Sequence, residues 1–187
     1  TLTTNGHAIT FDGGVEGSAV VTQSLFLSTT TFFGDLNVFT NTLLIEVNPD
    51  DTVLLTGGDL TNYGMIRKTQ AVTAAEVYNF GLAGWYNAAD LEVSVGEVGA
   101  LSTLQVDRTD ANPPAAPHAA TDIYWRITPV GAGYAVSLTL PHNNVSNAAA
   151  CRFVGPLWDC ATTAVTADTV TRANVTALSV WAVFDSA

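Results

Sequence analysis

Seven carboxylates, Asp12, Glu16, Asp35, Glu46, Asp50, Asp51 and Asp59, fall within the first 70 residues, and the only basic side chains there are His7, Arg67 and Lys68. A polysaccharide lyase or hydrolase needs clustered carboxylates with a cation or a basic proton acceptor beside them. These acids lie mostly at turn signals, where carboxylates ordinarily cap the backbone. No GxSxG elbow accompanies the serines, and His7, His118 and His142 all sit in turn-like contexts. Enzymatic activity is therefore not expected. Calcium is the more credible small partner, because a hard cation takes several oxygens from a flexible loop. Its candidate ligands are Asp50 and Asp51, with Asp107 and Asp110 further on, though neither segment follows an EF-hand pattern. Solvated turn caps would look the same.

Two further groupings carry chemistry. Cys151 and Cys160 are the only cysteines, and their spacing fits neither CxxC redox nor zinc chemistry, so one short disulfide loop is expected. Trp85 and Tyr86, flanked by Gly84 and Asn87, form the one aromatic pair in a loop-like setting. Such a pair is a saccharide platform or an interface anchor, and the interface is preferred because these residue types dominate binding hot spots. Trp125 and Trp181 fall in strand-like runs and are expected in the core. The sequons at Asn144 and Asn174 are sites at which a glycan could be carried.

The elements that must position these residues are strands. The 187 residues include 26 threonines, a single lysine and only 12% charged residues, a composition of exported β proteins rather than intracellular enzymes. A formal charge of −11 opposes binding to nucleic acid or to an anionic membrane. The apolar runs, of which Val53-Leu54-Leu55 is typical, fall far short of the roughly 20 residues a membrane span requires. Thr1 opens directly into strand-like sequence, which suggests a mature chain processed from a precursor.

Residues 1–74 are dense in β-branched and apolar residues, broken by turn signals at Asn5-Gly6, Asp12-Gly13-Gly14, Asn48-Pro49-Asp50 and Gly57-Gly58. The segment from Leu2 to Ile9 resembles that from Leu60 to Ile66, with Leu36-Asn37 as a fainter third member. A repeat in the low twenties suggests stacked coils of a parallel β-helix, although ordinary strand–turn segments would also give it. Residues 75–187 alternate more cleanly. Leu91, Val93 and Val95 share one face, as do Ile123, Trp125 and Ile127, and Tyr134, Val136, Leu138 and Leu140. This half is expected to be an antiparallel β-sandwich, with Asp110 to Ala120 as a long exposed loop because its three prolines cannot join a central ladder.

Thr56 to Thr69 resembles the last coil of secreted bacterial β-helix proteins of the pectate-lyase-like shape. Tyr124 to Pro129, Leu138 to His142, Cys151-Arg152, Trp158 to Cys160, and Val175 to Val183 resemble the β-sandwich module that ends some of those surface proteins. The likeness covers roughly residues 56–187 and implies a cell-surface location without a particular activity.

Runs such as Leu25-Phe26-Leu27 and Leu43-Leu44-Ile45 are apolar on both faces of a strand, so something must cover the outer face. Another copy of the chain is the expected cover. The sequence therefore points to an extracellular or cell-surface structural subunit that self-assembles into a filament or layer. Leu2, Ile9, Phe11, Phe26, Phe33, Leu44, Leu54, Trp85 and Tyr86 are its candidate interface. The alternative is a monomeric carbohydrate-binding or adhesive module that engages surface glycans.

Overall fold

The computed structural model describes residues 64–80, 91–116, 121–142 and 144–186 in full; before residue 64 it describes the backbone of short strands. Every regular element among them is a strand, and no described helix is long and apolar enough to cross a membrane. The early strands are β1 (Leu2–Thr3), β2 (Thr10–Asp12), β3 (Val21–Thr22), β4 (Thr30–Phe33), β5 (Phe39–Asn41), β6 (Leu44–Val47), β7 (Val53–Thr56) and β8 (Leu60–Asn62). Then come β9 (Met65–Ala71), β10 (Val77–Asn79), β11 (Glu92–Glu97), β12 (Thr103–Thr109), β13 (Tyr124–Val130) and β14 (Ala135–Pro141). The chain ends with β15 (Ala148–Val154), β16 (Leu157–Ala161), β17 (Ala164–Val165), β18 (Thr169–Val175) and β19 (Val180–Asp185).

The early strands pair in parallel in three separate sets, β1-β3-β6-β9, β2-β4-β7 and β5-β8. Leu2 lies beside Val21, Val21 beside Ile45, and Ile45 beside Ile66, so partners recur at roughly twenty-residue steps. At β9 the sense changes: its second edge pairs antiparallel with β12, and the sheet continues through β13, β19, β15 and β16 to a total of nine strands. The antiparallel sheet β10-β11-β14-β18-β17 has five strands.

The core lies between the antiparallel parts of these two sheets. The alternation read from sequence holds: Leu91, Val93 and Val95 are buried, as are Trp125 and Ile127, and Tyr134, Val136, Leu138 and Leu140. Trp125 and Trp181 sit side by side in register and are both enclosed. Each fully buried large apolar side chain contributes about 1.5–3 kcal/mol. Polar atoms inside this core are mostly matched. The Tyr78 hydroxyl accepts from the Thr73 and Ala74 N–H groups and donates to the Ala74 carbonyl, while the Tyr134 hydroxyl accepts from the Leu178 N–H.

A smaller cluster sits on the outer face of the nine-stranded sheet, where Cys151, Ala149, Ala182 and Phe184 are buried. Trp158 packs between Phe153 and Phe184 in tilted arrangements, with ring centroids 5.2 and 5.0 Å away. The proline-rich loop is not simply exposed as expected. Pro113 is buried, Ala116 packs on this cluster, and the Trp158 Nε1–H donates to the Pro114 carbonyl at 3.1 Å. Apolar surface left on the sheet's outer face draws the loop down onto it.

Candidate binding site between the sheets

Cys151 and Cys160 are directly opposed on β15 and β16 and form the expected disulfide. One residue further along, Arg152 faces Asp159 on one side and Trp181 of β19 on the other. Residues in register share a face of the sheet. Arg152, Asp159 and Trp181 are thus brought together on the opposite face from the disulfide, toward the five-stranded sheet.

Arg172 completes the group from that second sheet. Its strand, β18, carries a register shift against β14: Val136 pairs with Val175 but Leu138 with Arg172, which leaves one extra residue on β18. Asn174, at this bulge, has φ of 56°, a conformation asparagine tolerates better than most residues. The Arg172 guanidinium lies 5.3 Å from the Trp181 ring centroid, donates to the Asp159 carbonyl at 2.7 Å, and pairs with Asp159 Oδ2 at 2.7 Å. Arg152 donates through Nη1 to the Ala177 carbonyl, and its Nη2 stands 3.8 Å from the same Asp159 oxygen.

Arg152, Arg172 and Trp181 border a cleft of about 300 Å³ that Thr163, Asn174 and Thr176 also line. The hydrogen bond from Arg172 holds the Asp159 carboxyl below the usual carboxylate range; partial burial opposes this, and the charges of Arg172 and Arg152 add to it. Two N–H groups at the site are buried without a hydrogen-bond partner, Arg152 Nε and Trp181 Nε1. A buried donor left unsatisfied costs about 1–3 kcal/mol.

The residues singled out from sequence are distributed differently. Asp107 and Asp110 do not converge. Asp107 is clamped by Arg67, with Nε–Oδ1 at 2.6 Å and Nη2–Oδ2 at 3.0 Å, and also receives the Gln105 amide. Asp110 receives Arg108, itself 1% exposed, with Nε–Oδ1 at 2.6 Å and Nη2–Oδ2 at 3.3 Å. Among the described residues no three His, Cys, Asp or Glu side chains gather where a metal ion could be held. Asp50, Asp51, Trp85, Tyr86, Ile9 and Phe26 lie outside the described residues, as do His7 and His118. Leu2, Phe11, Phe33, Leu44 and Leu54 fall in β1, β2, β4, β6 and β7, where the backbone alone is described. His142 is buried, with the Val145 N–H donating to its Nδ1 and its Nε2 without a hydrogen-bond partner among the described residues.

Sequence reasoning passed over Arg152, Arg172 and Asp159 as a site. The residues before Arg152 offer no signal, since Ala148, Ala149, Ala150 and Cys151 are all buried and show no alternation that would mark its face. No family model, curated protein or solved structure matches the chain.

Proposed function

We propose that the chain is an extracellular structural subunit that self-associates, built as a short parallel β-helix continuous with an antiparallel β-sandwich. Three parallel sets of strands, with partners at roughly twenty-residue steps, support the β-helix. The disulfide supports an oxidising compartment outside the cytosol. The resemblance of residues 56–187 to secreted β-helix proteins that end in a sandwich agrees with both.

The observation that carries self-association is the sheet edge at β16. Among the described residues this strand pairs with β15 alone, and at its start Leu157 is 73% exposed, with Val154 opposite it on β15 at 52%. The Asp159 carbonyl on this strand already accepts from Arg172, so the part open to another strand is the Leu157 end, where an apolar side chain is offered beside the edge. Antiparallel pairing of β16 with its own copy closes into a twofold dimer, so a filament needs a second, different contact. The candidate interface positions from Leu2 to Leu54 supply one on this reading. Gel filtration with light scattering, followed by negative-stain imaging, tests the proposal on the full chain. Dimers or longer polymers are expected, and Leu157→Lys should weaken the contact about tenfold without lowering the melting temperature. A full-length protein that stays monomeric at high concentration overturns it.

The second reading, an adhesive or carbohydrate-binding surface module, is favoured by the cleft that Arg152, Arg172 and Trp181 border.

A further inference from the structure

The arginines of this protein show how it binds carboxylates. Arg67 and Arg108 each present the Nε and Nη2 edge of the guanidinium to both oxygens of an aspartate. That edge is a planar two-donor fork matched to a carboxylate. In Arg152 the same edge is not filled. Its Nε is buried without a partner, and its Nη2 reaches only to 3.8 Å from Asp159 Oδ2, an oxygen already held by Arg172 at 2.7 Å.

We propose that the cleft between the sheets is a binding site for a carboxylate carried by a small hydroxylated molecule such as a sugar acid, with the Arg152 fork as its anchor. Three further observations support the assignment. Trp181 borders the cleft, is wholly enclosed, and keeps an indole N–H with no partner, a group that can only donate and so suits an oxygen acceptor. Two cations face a single carboxylate here, so the site is locally positive within a chain of charge −11. Thr163, Asn174 and Thr176 add hydroxyl and amide groups to the lining, which suits a polar body better than an apolar one. A volume of about 300 Å³ suits a ligand the size of one sugar.

Ligand entry requires the Arg152 side chain to turn its buried edge outward. The β-bulge at Ala173 and Asn174 forms the β18 side of the cleft, where the Ala173 N–H is held by the Thr163 hydroxyl instead of by β14. The inference rests on the binding-module reading and is independent of self-association.

The test uses the full chain with its disulfide intact. Galacturonate, succinate and galactose are titrated by calorimetry and by the proton–nitrogen spectrum of the arginine side chains, which holds one Nε–H signal for each of five arginines. Saturable binding of galacturonate or succinate that shifts the Arg152 Nε–H signal, and that weakens about tenfold or more in Arg152→Gln, is the expected result. The two acids distinguish a sugar acid from a simple dicarboxylate as the source of the group. Galactose binding as well as galacturonate would overturn the carboxylate assignment and leave a sugar-binding module standing. No response to either acid at about 10 mM would overturn it too, as would binding that leaves the Arg152 signal unmoved. That signal is read in the unaltered protein, so a destabilised variant does not blunt the test.

Discussion

Asp159 is the side chain on which the cleft's electrostatics turn, since it neutralises Arg172 fully and Arg152 only at a distance. Its carboxyl is held below the ordinary carboxylate range in the folded protein, first by the Arg172 hydrogen bond. A group depressed in this way stabilises the fold at any pH above its unfolded value, and the contribution disappears as pH falls through the lowered folded value. Asp159→Asn should therefore lower the melting temperature at pH 7, and the difference from the parent should begin to shrink below about pH 4 and vanish once pH has fallen through the lowered folded value. Thermal melts across that range check it. The side chain is 48% exposed, so solvent screening keeps the effect below about 1 kcal/mol. The aspartates picked out from sequence behave otherwise. Asp107 is 3% exposed and clamped by the partly exposed Arg67, and Asp110 engages the buried Arg108 guanidinium. Composition revealed the surplus of acids, but only the register of β9 against β12 reveals that Arg67 stands opposite Asp107, whereas Asp110 takes Arg108, two residues before it.

At the level of elements, the hairpin of β15 and β16 is the part most dependent on its cross-link. β16 has one neighbour, four of its five residues are exposed, and its apolar contact with the sheet is chiefly Trp158 under the proline-rich loop. Reducing the Cys151–Cys160 bond frees a short closed loop, which in a chain-entropy account costs roughly 2–3 kcal/mol. The expected outcome is a lower melting temperature in dithiothreitol, with hydrogen exchange rising first in residues 155–161; native material that alkylates at both cysteines would contradict the bond. Strands whose two faces differ, β11, β13 and β14, were legible in sequence because a period of two is written directly into the residue types. The cleft was not. Its members come from β15, β16, β18 and β19, and only the pairings of Arg152 with Asp159 and with Trp181, plus a one-residue bulge, bring them together. Nor does the sequence show that the loop before β13 folds back onto Trp158, since prolines and alanines give no period to read.

Across the whole molecule, β9 belongs to two kinds of ladder at once. One edge is the last parallel partner of β6 and the other the first antiparallel partner of β12. Stacked parallel strands contact only their neighbours, so they open from the far end inward, whereas a sandwich with a shared core opens as a unit. Hydrogen exchange measured by mass spectrometry should accordingly show the strongest protection in β12, β13 and β19, stepping down through β9 and β6 to β3 and β1. Uniform protection across all of these would show that the two parts unfold together. The same strand is a shared ruler. A slip of β9 by one residue would displace Ile66 from Ile45 on one side and Lys68 from Val106 on the other in a single move, so an insertion within β9 is felt in the parallel and the antiparallel ladder together.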